Sequence, residues 1–200
     1  MLKLTDNRVV GLTGMSGAGK STVCRLFAEY GYHVIDCDLS AREVAQAGAP
    51  ALRELSEKLS PDIIKPDGSL DRQLTSRLIF NDDEKRRIFN KIIYPYITYN
   101  IVMKIRSAEC DVLLDAPTLF EARIEGLCTD IVSVCADTEI CVQRIVKRDG
   151  IDTALARARL SSQHGIDFFR KYTDHCIENN GTADELYCKA EEMIRRLKGI

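Results

Sequence analysis

The sequence predicts an α/β fold in which a parallel sheet is covered by helices. Three observations carry that reading. The chain opens as strand, glycine loop, helix and strand, a βαβ unit. Further short apolar strands then alternate with stretches of helical pattern. Between the second and third strands, more than seventy residues read only as helix and turn, which predicts a helical insertion beside the sheet. The 200 residues suit one domain carrying such an insertion. An apolar content of 45% against 29% charged residues excludes disorder and suffices for one large core. The net charge of −2 argues against a general nucleic-acid or membrane surface.

The first strand is Arg8–Thr13, short, β-branched and ending in glycine. Residues Ser21–Tyr30 show helical spacing through Val23, Leu26 and Phe27, with Gly31 as a stop. His33–Asp36 is the second strand. The insertion reads as helices over Pro50–Leu59 and Asp71–Phe80, then a pair over Asp83–Ala108 broken near Pro95. The turn Lys65-Pro66-Asp67-Gly68 divides the first two. Strands follow at Asp111–Asp115, Asp130–Cys135 and Asp174–Glu178, with helices over Glu139–Arg148 and Asp152–Gln163 between the last two. A final helix over Thr182–Leu197 carries Thr182 as N-cap and Glu185 as its capping-box partner.

The eight cysteines contain no pair separated by two residues, so no zinc ribbon or dithiol redox motif is present. Most lie in apolar runs, where a thiol behaves as a small hydrophobe. The segment Met1–Asp6 shows neither an apolar leader core nor a cleavage site, and no apolar run reaches membrane-spanning length. These features predict reduced thiols and a cytoplasmic location. The histidines at 33, 164 and 175 are too scattered for a zinc motif.

Chemistry concentrates in Gly14-Met15-Ser16-Gly17-Ala18-Gly19-Lys20-Ser21, which satisfies G-x-x-x-x-G-K-[ST] at every fixed position. Its glycines let backbone N–H groups turn inward around phosphates, and the following helix adds its positive end. Lys20 then reaches the transferring phosphoryl group and Ser21 offers a hydroxyl to Mg²⁺. The motif specifies the class further: a P-loop NTPase three-layer fold that binds a nucleotide polyphosphate with Mg²⁺.

Asp36 and Asp38 end the second strand, two residues apart on an extended chain, so their carboxylates are predicted on one side. Such a carboxylate can take a hydroxyl proton or help hold Mg²⁺. The alternative is that Asp38 caps the next helix and Asp36 is a solvated strand end. Arg42, four residues beyond Asp38, can pair with it or bind an anion. Asp115 ends an apolar strand and is a second candidate beside Mg²⁺. From Arg144 to Lys171, seven basic residues face three acidic ones, and Arg144 and Arg148 share a helix face. That balance suits a lid over polyphosphate, with a solvated basic face as the alternative.

These residues together resemble the dephospho-CoA kinase family. The resemblance rests on Val10–Gly14, the loop through Thr22, and Val34-Ile35-Asp36-Cys37-Asp38 followed by Ala41-Arg42. It continues through Asp67–Arg72, Ile79-Phe80, Pro117-Thr118-Leu119-Phe120-Glu121, Gln143-Arg144, Arg148-Asp149, Gln163 and Ile177–Gly181. Thr118 stands where the family has leucine, and Tyr94-Pro95 where it frequently has His-Pro. The resemblance implies transfer of the ATP γ-phosphoryl to the ribose 3′-hydroxyl of dephospho-CoA, a small-molecule substrate, with no nucleic acid, membrane or obligate protein partner. It implies a core (about 8–48, 110–142 and 174–200), a CoA-binding helical insertion (about 49–109) and a lid (about 143–173). Asp38 is then the general base, and Lys20, Arg144 and Arg148 act on the phosphates. Gly14, Gly17, Ala18, Gly19, Lys20, Ser21, Thr22 and Asn179 hold the nucleotide, with Asn179 near the adenine. Asp36, Asp38, Arg42, Arg72 and Pro117 meet the acceptor. Ser21 meets Mg²⁺, with Asp38 or Asp115 beside it. The rival readings are a nucleoside or nucleotide kinase on the same core, and a nucleotide-dependent switch.

Overall fold

The computed structural model describes residues 5–80 and 82–200. Most of the Met1–Asp6 segment read for a leader therefore lies outside the described residues. In chain order the elements begin with β1 (Val9–Gly14), α1 (Lys20–Glu29), β2 (His33–Asp36) and α2 (Cys37–Glu43). Next come α3 (Pro50–Lys58), α4 (Arg72–Phe80), α5 (Asp83–Ser107) and β3 (Val112–Asp115). The remainder is β4 (Asp130–Cys135), α6 (Thr138–Asp149), α7 (Thr153–Ser161), α8 (Ile166–Tyr172), β5 (His175–Glu178) and α9 (Ala183–Lys198).

The chain divides into two compact units. The first runs to Ile35 and resumes over Ala108–Ile200; the second is Asp36–Ser107. The second therefore takes in Asp36, Asp38 and Arg42, which the sequence reading assigned to the core.

The first unit is built on a five-stranded sheet of order β2-β3-β1-β4-β5. β1 runs parallel to β3 and to β4, and β4 parallel to β5. β1 lies at the centre because Val9, Val10 and Leu12 are buried on both faces, the pattern of a strand covered by helices. Leu113, Val132, Val134, Phe27, Ile145 and Ile194 complete this core. Cys37, Cys128, Cys135 and Cys141 are buried, in line with thiols used as small hydrophobes. Thr182 caps α9 through the Glu185 N–H at 3.2 Å. Two features depart from the sequence reading. α8 was not foreseen, because a seven-residue helix entered from Gly165 carries no side-chain cap. The strands are displaced from their expected bounds by no more than about one residue, the usual ambiguity of strand ends.

Tyr32 brings an uncompensated hydroxyl into the core. Tyr32 is 4% exposed, its ring meets Phe27 edge-on at 4.9 Å, and its hydroxyl is buried with no hydrogen-bond partner among the described residues. Burial, reinforced by the Asp111 carboxylate, pushes the Tyr32 hydroxyl up to about 12. Its folded value lies above its unfolded value near 10, so the unfolded chain releases this proton first as pH rises. Stability attributable to Tyr32 is full below pH 10 and is lost between about pH 10 and 12. Tyr32→Phe removes the buried hydroxyl, and is expected to raise stability by about 1 kcal/mol and to flatten that alkaline loss. Thermal melts of both proteins from pH 8 to 11.5 check this; a lower Tm for the variant at pH 8 would contradict it.

The second unit is helical. Ala51, Leu52 and Leu55 of α3 pack with Ile63, Leu70, Ile92 and Ile93. The turn predicted at 65–68 is present, closed by the Gly68 N–H on the Lys65 carbonyl at 2.8 Å. The expected break at Pro95 is not. α5 runs unbroken for 25 residues with Pro95 inside it. Proline costs a helix interior roughly 3 kcal/mol and one backbone bond. Buried Ile92 and Ile93 on one side of Pro95 and Ile101 and Ile105 on the other hold both halves in one helix. Burying each such side chain contributes about 1.5–3 kcal/mol, so packing outweighs the local penalty. Lys104 ties α5 to α2, at 2.6 Å from Glu43 and 3.0 Å from the Ser40 hydroxyl.

Candidate active site

The phosphate loop leaves β1 at Gly14 and enters α1 at Lys20. Gly14 has φ 134°, and a Cβ there would run into the Val134 carbonyl of β4. Gly19 has φ 104°, and its Cβ would lie 2.8 Å from Asn179 Nδ2 and 2.9 Å from Leu186. Both positions require glycine, for conformation and for room. The loop is tied to the frame by Met15 N–H donating to the Val134 carbonyl at 3.0 Å and Asn179 Nδ2 donating to the Ala18 carbonyl at 2.7 Å.

Asn179 is 6% exposed and its own N–H donates to the Cys135 carbonyl at 2.8 Å. Arg144 joins this region: Nη1 donates to the Asn179 carbonyl at 3.0 Å and Nη2 to the Gly181 carbonyl at 3.2 Å. Arg144 thus shapes the turn after β5. Arg148 forms a two-pronged pair with Asp149 at 2.6 and 2.9 Å, and Arg159 meets the same carboxylate. The Arg148 hydrogen bond, with Arg159 beside it, holds the Asp149 carboxyl down at about 2.

At the carboxyl ends of β1 and β3, Lys20 Nζ stands 3.4 Å from Asp115 Oδ1. The register that pairs Leu12 with Asp115 puts that carboxylate one residue short of Thr13, at the mouth of the loop. Asp115 Oδ1 is buried and has no hydrogen-bond partner among the described residues besides this ion pair. Next to it, the Thr13 hydroxyl donates to the Pro117 carbonyl at 3.3 Å. Ser21 lies exposed in the first turn of α1, with Thr22 half-buried beside it. Together Lys20, Ser21, Asp115 and the loop amides line a mouth that can cradle a polyphosphate, with a carboxylate facing the lysine, where ligands bind in parallel α/β sheets. Among the described residues no cluster of three or more metal-ligating side chains exists, so a cation here would draw part of its shell from phosphate and water.

In the second unit, the expected pairing of Asp36 and Asp38 fails. Helix α2 begins directly after β2, because Asp36 caps it: its Oδ1 accepts the Leu39 N–H at 2.8 Å. Asp38 therefore stands in the first helical turn rather than on an extended chain, and strand alternation does not relate the two carboxylates. Asp36, not Asp38, performs the capping. Arg42 follows one turn after Asp38 on the same helix. A cleft of about 660 Å³ within this unit is lined by Arg42, Gln46, Lys65, Ser69, Asp71 and Arg72 among others. Arg42, Lys65 and Arg72 form no ion pair among the described residues, and Asp71 spends a carboxylate oxygen on the Leu74 N–H at 2.9 Å. Three cations that form no ion pair among the described residues, set against the engaged Asp71 carboxylate and with the Asp67 carboxylate acting on Lys65, give the cleft a chemistry that can hold an anion. Lys65 was missed in the sequence, where Lys65–Gly68 registers only as a turn.

A family model described as dephospho-CoA kinase matches residues 8–185. A curated relative named dephospho-CoA kinase from Oryza sativa subsp. japonica is 33% identical over 95% of this chain and 84% of its own length. Another of that name, from Corynebacterium glutamicum, is 34% identical over 94% of this chain and 96% of its own. A crystal structure from Thermus thermophilus aligns with TM-score 0.81 at 29% identity, covering 96% of this chain and 99% of that one.

Proposed function

The chain belongs to the dephospho-CoA kinase family and is an ATP-using kinase of coenzyme A synthesis; from that premise we propose how its residues divide the work. The enzyme moves the γ-phosphoryl of ATP to the ribose 3′-hydroxyl of dephospho-CoA, giving CoA and ADP. The bond from that hydroxyl oxygen to the γ-phosphorus forms as the γ-phosphorus bond to the β-γ bridging oxygen breaks. Asp38 accepts the hydroxyl proton. Lys20 and the loop amides from Gly14 to Thr22 hold the phosphates and offset the charge that develops on them. Arg144 keeps the 179–181 turn in place for the adenine beside Asn179, and Arg148 reaches the phosphates from a lid over about 143–173 when it leaves Asp149.

The observation that carries this reading is the Lys20–Asp115 pair at the mouth of the loop. A buried carboxylate oxygen that faces that lysine alone among the described residues also fits Mg²⁺, which Ser21 would hold with Asp115 or Asp38 and the phosphates. Mg²⁺ there supplies neutralisation of polyphosphate charge.

We assign Arg42, Lys65 and Arg72 to the diphosphate of dephospho-CoA, and Pro117 and Asp36 to shaping the approach of its ribose. No helix of the described residues is long and apolar enough to cross a membrane. We place the enzyme in the cytoplasm, with no nucleic acid, membrane or obligate protein partner. Removing one charge-assisted contact costs about 1.5–3 kcal/mol. Arg72→Ala is thus expected to raise the KM for dephospho-CoA roughly 10- to 100-fold while leaving the KM for ATP unchanged; equal rises in both would move the diphosphate elsewhere. The reaction itself is tested by ADP release from Mg-ATP with dephospho-CoA, adenosine, nucleoside monophosphates or no acceptor. Stimulation by dephospho-CoA alone is expected, and stimulation by a nucleoside instead would reassign the acceptor.

A further inference from the structure

One residue of the phosphate loop is held by a side chain from far along the sequence. The Ser16 N–H donates to Gln163 Oε1 at 3.1 Å. Its neighbours in the loop bond to backbone instead, Met15 to the Val134 carbonyl and Ala18 to the Met15 carbonyl. Gln163 sits two residues beyond α7, in the connection to α8.

That connection is pinned against the first unit from both sides. The His164 ring stacks on Phe168 with centroids 3.6 Å apart, and Phe168 meets Phe120 edge-on at 5.1 Å. His164 Nε2 lies 3.7 Å from Glu121. Gln163 is exposed, but it is tethered to the phosphate loop by its own bond, and its neighbour His164 is held beside Glu121.

The orientation of its carboxamide follows from the bond it makes. Only oxygen can accept from Ser16 N–H, so Oε1 is spent and Nε2 keeps two donors, with no partner among the described residues. Ser16 lies on the limb of the loop that enters from β1. The opposite limb, Ala18–Gly19, is bolted by Asn179, the residue proposed beside the adenine. The Ser16 limb is then at the end of the polyphosphate remote from the base.

We propose that Gln163 determines nucleotide specificity: its Oε1 holds the Ser16 N–H while its Nε2 donates to the terminal phosphate of ATP, favouring ATP over ADP. The inference rests on the ATP-binding role of the loop and deepens it.

The test is titration of the full chain with Mg-ADP and with a non-hydrolysable Mg-ATP analogue carrying an imido β–γ bridge. Gln163→Ala is expected to weaken the analogue about tenfold and ADP less than twofold. Gln163→Glu keeps an acceptor for Ser16 but puts an acceptor and a charge where the donor was, and is expected to weaken the analogue further with ADP still unaffected. Unchanged ADP affinity also shows that each variant is folded. Equal weakening of both nucleotides would leave Gln163 as a support of the loop only and overturn the proposal, as would no weakening of either. Acceptor-stimulated ADP release by the unaltered enzyme is independent of this comparison. Its failure beside normal discrimination would strike the acceptor assignment and not Gln163.

Discussion

Asp38→Asn is expected to lower kcat by about 100- to 10,000-fold, the range for loss of a positioned general base. Asparagine matches the shape of aspartate and cannot take the ribose proton. The cap of α2 survives the change, because Asp36 makes it through the Leu39 N–H. ATP affinity, measured by titration, is expected to stay within twofold. The neighbouring carboxylate supplies the contrast. Asp36→Asn retains a good N-cap and should keep most activity, whereas Asp36→Ala should cost about 1 kcal/mol of stability. Full turnover in Asp38→Asn, or an equal loss in Asp36→Asn, would remove Asp38 from the role of base.

Lys20→Met is expected to lower kcat by about 100- to 1,000-fold, the cost of one well-placed donor to developing charge. Unlike the Asp38 change, it should also weaken ATP, since the proposed role of Lys20 is to meet the phosphates before and during transfer. It further leaves Asp115 Oδ1 without the only cation set against it among the described residues. The upward shift in Tm that Mg-ATP produces in the unaltered enzyme should therefore shrink sharply in this variant. A variant with normal kcat and a normal ATP-induced shift would contradict the cradle described for the loop.

The fold was legible wherever local pattern and tertiary environment agree. The five strands were read almost to the residue because each is a short apolar run closed by turn residues, and buried parallel strands have that form. The loop was legible because its glycines and lysine stand at fixed spacing. Pro95 misled because a local rule was applied where packing on both sides of it governs. Asp36 and Asp38 misled because strand alternation needs an extended chain through Asp38, whereas β2 ends at Asp36 and α2 starts at Cys37, and a capping bond that depends on three-dimensional geometry sets that boundary. α8 carries no cap to announce it. Lys65 registers locally only as part of a turn, and Gln163 only as one residue of the resemblance. The cleft and the Ser16 contact join residues distant in sequence, which periodicity cannot reveal.

The ribose 3′-hydroxyl oxygen is the atom expected to receive the phosphoryl group. The most direct measurement is ADP release from Mg-ATP with dephospho-CoA and with its 3′-deoxy analogue, alongside competition between the two. The expected result is strong stimulation by dephospho-CoA, none by the analogue, and competitive inhibition by the analogue, which keeps the diphosphate and pantetheine contacts. Equal stimulation by both compounds would place the reacting oxygen elsewhere on the molecule and contradict the account.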